Sequence, residues 1–285
     1  MRGTFLVVVT LLLALHVNGD DQSSKANKVT ADNCEVDGIE LTDFSDCHDN
    51  FPTGCTHAAN PSYDAYLNFL KNRVIGSTSP SGAVLTSAGY THLEGLLPDT
   101  LSTRNHAAHA KELATAGEGD VRQLAGFLYY VENEGTQRNG ETSNCQMVGT
   151  ANADFHLGIG FDENVARKIV AGKLHHRANG EDPTIVDQTS VIAEMTPHTR
   201  ATFHSKWTIT RLRKAIGKQV LVRGQLMADN QHFGAQDCGS PSASDVDCWR
   251  ASIWELHPVT EFFVCETSHC DAADLSQWTA LENTN

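Results

Sequence analysis

The chain has 285 residues, 40% hydrophobic and 20% charged, which suits one or two small globular domains and excludes wholesale disorder. Asp and Glu number 35 against 21 Lys and Arg, a net charge of −14. Such a surface repels nucleic-acid phosphates and attracts cations such as calcium.

Residues 1–19 read as a secretory signal peptide. Arg2 supplies a positive start, residues 5–15 form an apolar run, and Val17 and Gly19 are small enough for cleavage before Asp20. The run is too short to span a bilayer comfortably, and no later stretch is apolar over about 18 residues. The expectation is a secreted, extracellular protein with no membrane anchor. Eight cysteines follow: Cys34, Cys47, Cys55, Cys145, Cys238, Cys248, Cys265 and Cys270. In an oxidising compartment an even number reads as disulfides, with the pairing left open. Cys47–Cys55 and Cys238–Cys248 are close enough in sequence to staple local loops. No Asn-x-Ser/Thr acceptor occurs, so N-glycosylation is not expected.

Residues 20–45 are polar and read as a flexible lead-in, and 46–118 as a helical N-terminal region. Cys47, His48, Cys55 and His57 fall within eleven residues and have the chemistry of zinc ligands. Their spacing is not that of a zinc finger, and a disulfide loop is the better reading. A helix follows over 62–72, capped by Asn60 with Pro61 in its first turn. Tyr63, Tyr66, Leu67 and Leu70 share the face that packs on the domain. Residues 76–89 read as a loop. Weaker helical signals cover 92–97 and 106–115, the latter stopped by Gly117. His106 and His109 share a face there and read as surface histidines.

From 119 to 266 the texture is that of strands. The first covers 121–133. The second, 154–161, alternates, with Phe155, Leu157, Ile159 and Phe161 on one face and Asp154, His156, Gly158 and Gly160 on the other. Residues 162–188 form a polar excursion with a helical piece near 165–170 and a solvated His175-His176 pair. The third strand, 190–195, is stopped by Pro197. A helix over 207–217 leads to the fourth strand, 218–229. The last strand region covers 250–256 and 259–265, broken at His257-Pro258. Residues 267–285 read as a polar tail containing Trp278. Three strands, a helix and two more strands is the order of an OB-type barrel. The predicted fold is therefore mainly β with short helices (α+β): an OB-like five-stranded barrel with a helical N-terminal lead-in.

Within this span lie Glu141-Thr142-Ser143-Asn144-Cys145, Asp154-Phe155-His156, Glu194-Met195-Thr196-Pro197 and Arg200. Trp207, Gly224-Gln225-Leu226, Asp229, His232 and Trp254-Glu255-Leu256-His257-Pro258-Val259 complete the pattern. It resembles an uncharacterised secreted or bacterial-type family with a WE[IL]HPV motif and an OB-like β domain. The resemblance covers roughly residues 47–265. It implies the fold and carries no activity, substrate or cofactor.

The polar residues of these strands allow two readings. Asp154 and His156 point to one face, Glu194 sits on the neighbouring strand opposite its apolar Val191, Ala193 and Met195, and Glu255 and His257 lie near the closing strand. Carboxylates and imidazoles converging on one face could hold a divalent metal and activate water. Arg200, Arg223 or Arg250 could then grip a phosphate. That describes a metal-dependent hydrolase of phosphodiesterase or nuclease type, with Asp154, His156, Glu194 and His257 as catalytic and metal-binding candidates. Alternatively, Glu–Arg pairs and bonded histidines lock the closure of the barrel, and WELHP is a structural corner. No GxSxG, HExxH, P-loop or GxGxxG pattern is present, and whether the protein is an enzyme stays open. The first reading of function is a secreted, disulfide-stabilised, non-enzymatic binding or matrix protein with an unidentified extracellular ligand. The basic residues Arg211, Arg213, Lys214, Lys218 and Arg223 read as a solvated helix face rather than a nucleic-acid groove.

Overall fold

A computed structural model describes residues 79–134, 149–178, 180–244 and 246–284, together with 67, 70, 71, 73, 75, 76 and 143. Cys34, Cys47, Cys55, Cys145, His48 and His57 lie outside the described residues, as do residues 1–45, where a signal peptide and lead-in are expected.

The architecture follows from one long strand. β1 (Val121–Glu134) serves two partners. Residues 121–127 pair antiparallel with β4 (Gln219–Ala228), and 127–134 pair antiparallel with β2 (Asp154–Gly160). Its register with β2 slips between Leu128 and Tyr130, the kind of irregularity that lets a strand bend from one sheet neighbour to the next. β3 (Val191–Met195) lies antiparallel to β2 and meets β5 (Trp254–Val264) in parallel through Ala193 and Leu256. β5 also runs antiparallel to β4. These pairings close a five-stranded mixed barrel of the OB type, and β6 (Thr279–Ala280) adds a short sixth strand beside β5.

Alternation fills the interior. Phe155, Leu157 and Ile159 from β2, Val191, Ala193 and Met195 from β3, Leu226 and Ala228 from β4, and Trp254 and Leu256 from β5 belong to one buried apolar cluster. Helices close its ends: α1 (Ser87–Glu94) contributes Tyr90 and Leu93, and α2 (His106–Ala116) contributes Leu113. α3 (Glu163–Val170) is capped by Asp162, and α4 (Ile185–Gln188) opens with a capping box between Thr184 and Asp187. α5 (Pro197–Phe203) and α6 (Ile209–Arg213) lie between β3 and β4.

Several boundaries differ from the sequence reading. α1 begins inside the expected 76–89 loop, because the Thr86 hydroxyl accepts the Gly89 N–H and caps it. Pro197 ends β3 and also opens α5, an unforeseen helix, since a first-turn proline gives up no helical hydrogen bond. The helix expected over 207–217 shrinks to α6, followed by turns to Gly217 in the left-handed region at φ 82°. β5 starts at Trp254 and is not broken at His257-Pro258. Its register with β4 shifts on either side of Gly224, and a Cβ on Gly224 would come within 2.8 Å of the Pro258 carbonyl oxygen. A proline inside a strand is tolerated where the ladder is already interrupted. The Cys238–Cys248 staple is present, and Cys265–Cys270 forms a second disulfide. The tail is tied to the barrel through that bridge and β6, and within the tail Trp278 Nε1–H donates to the Asp271 carbonyl at 2.9 Å.

The strand alternation has an unexpected consequence. All seven residues of β2 and all five of β3 are buried, so the polar outer face is as dry as the core. The short separation of β1 and β2 side chains there is met by glycine: a Cβ on Gly158 would fall 1.9 Å from the Tyr130 ring, and one on Gly160 the same distance from Tyr129. Over β4, Leu67 and Leu70 pack on Met227 and cover part of this outer face.

Candidate metal centre on the outer face of the barrel

Register assembles the site. Glu132 on β1 stands opposite His156 on β2, and His156 opposite Glu194 on β3. Glu134 faces Asp154 across the same pair of strands. β5 lies on the far side of β3 and carries Glu255 and His257, two residues apart and on one face. Asp154, His156, Glu194 and His257, the four residues singled out from the sequence, therefore share one surface. Asp154, Glu194, Glu255 and His257 have no exposed area, and His156 retains 9%.

Glu194 is the centre of the arrangement. Its Oε1 lies 2.8 Å from His156 Nε2 and its Oε2 2.7 Å from His257 Nδ1. Neither Glu194 oxygen has a hydrogen bond to a described residue, and neither has His156 Nε2. These atoms approach one another without the angles of a hydrogen bond, as lone pairs do when they are turned to a common point instead of to each other. His257 Nδ1 also stands 3.1 Å from Glu255 Oε1, and His257 Nε2 stands 3.8 Å from Asp154 Oδ2. Asp154 is itself fixed: Oδ2 accepts the Ser143 hydroxyl at 2.7 Å and Oδ1 accepts the Phe155 N–H at 2.9 Å. Two triplets have ligand atoms that all lie within 4.8 Å of one another: Asp154, His156 and Glu194, and Glu194, Glu255 and His257.

Around the triplets runs a chain of alternating charge. Lys71 Nζ bonds Asp229 Oδ2 at 2.8 Å, Arg250 Nη1 lies 3.9 Å from the same oxygen, and Arg250 Nη1 reaches Glu255 Oε2 at 3.1 Å. At the other end His156 Nδ1 is 3.8 Å from Glu134 Oε1. Burial raises Asp154 to about 6, assisted by the charge of Glu194. Burial also raises Glu255, with Glu194 and Asp229 adding to it. Glu194 moves the other way: burial opposes its charge, but His156, His257 and Lys71 together hold it well below the usual carboxylate range. Burial likewise works against protonated His156, yet Glu194 outweighs it and pushes the imidazole up to about 10. His257 is raised well above its ordinary value by the same balance, with Glu194 and Glu255 outweighing burial.

The three arginines considered for phosphate sit differently from that expectation. Arg200 donates to the carbonyls of Met195, Ala151 and Ala153 at 2.7, 3.0 and 2.7 Å and lies 3.4 Å over the Phe155 ring. Arg223 bonds Glu261 and Gln123, each at 2.7 Å. Both are committed to the fold because they fall where carbonyls or a carboxylate would otherwise be left unpaired. Only Arg250 adjoins the cluster. It is fully buried, stacks 4.3 Å from the Trp249 ring, and its Nε and Nη2 have no hydrogen bond among the described residues.

Two histidine readings are corrected. His106 is fully buried, bonded to Asn230 Oδ1 at 2.9 Å and Glu118 Oε2 at 3.0 Å, because α2 packs that side against the β4 end of the barrel. His176 is not a solvated loop residue. Its Nε2 meets Glu132 at 2.7 Å, its Nδ1 meets Asp187, and its ring stacks on Tyr130 at 3.8 Å. Asp229 and Lys71 went unremarked as neighbours of the site. Asp229 follows Met227 by two positions, which puts it in phase with the outer face. Lys71 follows Leu67 by four, one helical turn along the same face.

The buried row opens at one edge. Glu132, Asn133, Glu134, His176, Arg177 and Glu181 line a polar cleft of about 620 Å³, and His156, the one cluster member with exposed area, stands opposite Glu132 and 3.8 Å from Glu134 Oε1. A second cavity of about 490 Å³, lined by Phe155, Pro197, Arg200, His204, Trp207 and Ile209, holds none of the cluster carboxylates.

Comparison of the chain with protein-family models, with curated proteins and with solved structures gives no match. Among the described residues no helix is long and apolar enough to cross a membrane.

Proposed function

We propose that this protein is a metal-dependent hydrolase of the extracellular space, with a divalent cation held on the outer face of the barrel by Asp154, His156, Glu194 and His257. The observation that supports it is the convergence of these side chains with the Glu194 oxygens and His156 Nε2 left without hydrogen bonds. Charge points the same way. Four fully buried carboxylates, Asp154, Glu194, Asp229 and Glu255, stand among two permanent cations, Lys71 and Arg250. Neutrality requires further positive charge, supplied by protons on the imidazoles or by metal with neutral imidazoles. The mixed imidazole and carboxylate donor set suits zinc or manganese better than calcium, which prefers oxygen ligands alone.

A cation bound there would activate water and polarise an ester or phosphoryl oxygen. The chain's own residues would do the rest. Ser143 and the Phe155 N–H orient Asp154, and Arg250 holds the outer oxygen of Glu255 away from the centre. Glu134, at the mouth of the cleft and 3.8 Å from His156 Nδ1, is placed to take a proton from an entering water. The carboxylates of Glu132, Glu134 and Glu181 disfavour long polyanions in the cleft, so a small ester or single phosphodiester is a better substrate than nucleic acid.

The complete burial of Asp154, Glu194, Glu255 and His257 favours a second reading. In it the cation is a structural staple, like the Cys238–Cys248 and Cys265–Cys270 disulfides, in a non-enzymatic extracellular binding or matrix protein. One set of measurements separates them. Metal content by mass spectrometry, before and after equilibration with zinc and manganese, is compared with an Asp154→Ala/His156→Ala variant. Each form is then assayed on bis(4-nitrophenyl) phosphate. Metal lost from the variant together with hydrolysis supports the hydrolase. Metal lost with a lower melting temperature and no hydrolysis by either form supports the staple. A wild-type protein that takes up neither ion refutes both.

A further inference from the structure

Glu194 turns its two oxygens to two different imidazoles, and this symmetry goes beyond a single cation. Oε1 lies 2.8 Å from His156 Nε2 and Oε2 2.7 Å from His257 Nδ1, and the carboxylates of Asp154 and Glu255 complete the respective triplets. Each set is a triplet of one imidazole and two carboxylates, and Glu194 is the only member they share. We propose that the outer face holds a pair of divalent cations bridged by the Glu194 carboxylate, one ligated by Asp154 and His156 and the other by Glu255 and His257. The inference rests on the reading of the cluster as a metal centre and adds its nuclearity.

Three features carry it. A carboxylate that bridges must present both oxygens free of hydrogen bonds, and both Glu194 oxygens are so in a fully buried side chain. The second set must not be consumed by its neighbours. Arg250 takes Glu255 Oε2 at 3.1 Å, which leaves Oε1 turned to His257. The two sets must also be close, and a carboxylate bridge holds its ions about 3.5–4 Å apart, the separation used by two-metal hydrolases. The sheet brings the two sets together. Glu194 sits on β3 between β2, which brings His156 and Asp154, and β5, which brings Glu255 and His257. In such a centre one ion would sit nearer the cleft, beside His156, and the other would be enclosed behind it.

The test is stoichiometry. The full-length protein is dialysed to equilibrium against zinc alone and, separately, manganese alone, and bound metal per chain is counted. The bridged pair predicts two ions for the wild type and one for His257→Ala. For Glu194→Gln it predicts loss of at least one ion and a more than tenfold weaker hold on any that remains. The manganese-loaded wild type gives a second readout that needs no variant: two ions this close show exchange-coupled electron paramagnetic resonance. One ion per wild-type chain with an uncoupled spectrum overturns the bridge and leaves the single-cation reading standing. No bound ion overturns both.

Discussion

Arg200→Met tests whether an arginine in this molecule holds the fold or waits for a ligand. Arg200 lies buried on α5 and joins three carbonyls, those of Met195 at the end of β3 and of Ala151 and Ala153 before β2. Burial lowers its pKa to about 10, which still leaves it charged at neutral pH. A hydrogen bond from a charged donor contributes about 1.5–3 kcal/mol, and a buried oxygen left unpaired costs about 1–3 kcal/mol. Three such bonds set the gross loss at about 5–9 kcal/mol. Relief from burying a guanidinium returns several of these, so the net destabilisation is about 4 kcal/mol. For a domain whose total stability is about 5–15 kcal/mol that is a large fraction. The assay is equilibrium urea unfolding at pH 7. Arg200→Met should unfold at a much lower midpoint with an unchanged slope, and Arg200→Lys, which cannot span three carbonyls in one plane, should fall between. Because Ala153 precedes Asp154, the variant should also weaken zinc binding. A midpoint equal to that of the wild type, with lost affinity for inorganic phosphate, would refute the structural role and return Arg200 to the list of ligand residues.

Glu94→Gln probes a partly buried acid away from the centre. Burial first, and then Asp237 beside it, raises Glu94 from 4.5 to about 8, while Ser252 and the Ile253 N–H at 3.0 Å bind its carboxyl group. A raised carboxyl pKa contributes stability that is whole below about pH 4 and is lost as pH rises through 8. The shift corresponds to about 5 kcal/mol. Thermal unfolding from pH 5 to 9 should therefore show Glu94→Gln gaining on the wild type as pH rises; parallel curves would contradict the account. Gly158→Ala should destabilise by about 3 kcal/mol or more, because the new methyl falls 1.9 Å from Tyr130. Since β2 must shift to admit it, His156 moves too, and zinc affinity should drop alongside the melting temperature. A Gly158→Ala protein with both properties intact would mean that Tyr130 moves aside freely.

Much of the fold was legible because local rules dominate in the barrel strands. Phe155, Leu157 and Ile159 alternate with Asp154, His156 and Gly158, and β2 forms on that period. Gly117 ends α2 in the left-handed region at φ 110°, as a helix-stopping glycine does. The order of strands and helices specified a closed OB-like barrel. Where the reading failed, competing signals overlapped in a few residues. Pro197 marks the end of a strand and also the start of a helix, and only the paths of the chain on either side decide that it is both. Pro258 breaks a strand by propensity, yet a register shift at Gly224 carries β5 past it.

The sequence alone determined which side chains share a face, because a strand's period is a local property of its backbone. Asp154 and His156 were paired on that ground, whereas Glu255 and His257 were placed only near the closing strand because Pro258 signals a break. Tertiary structure decided that those faces meet. Glu194 joins them only because β3 lies between β2 and β5, with its second neighbour reached in parallel across some sixty residues of chain. It also decided that the meeting place is dry. Period two predicts an outer face that is polar, but not whether water or protein lies against it. Here Lys71, Arg250 and Ser143 come from distant segments to cover it. Burial removes the solvent that would otherwise satisfy four carboxylates, and the cluster must then find its compensating charge in protons or in metal.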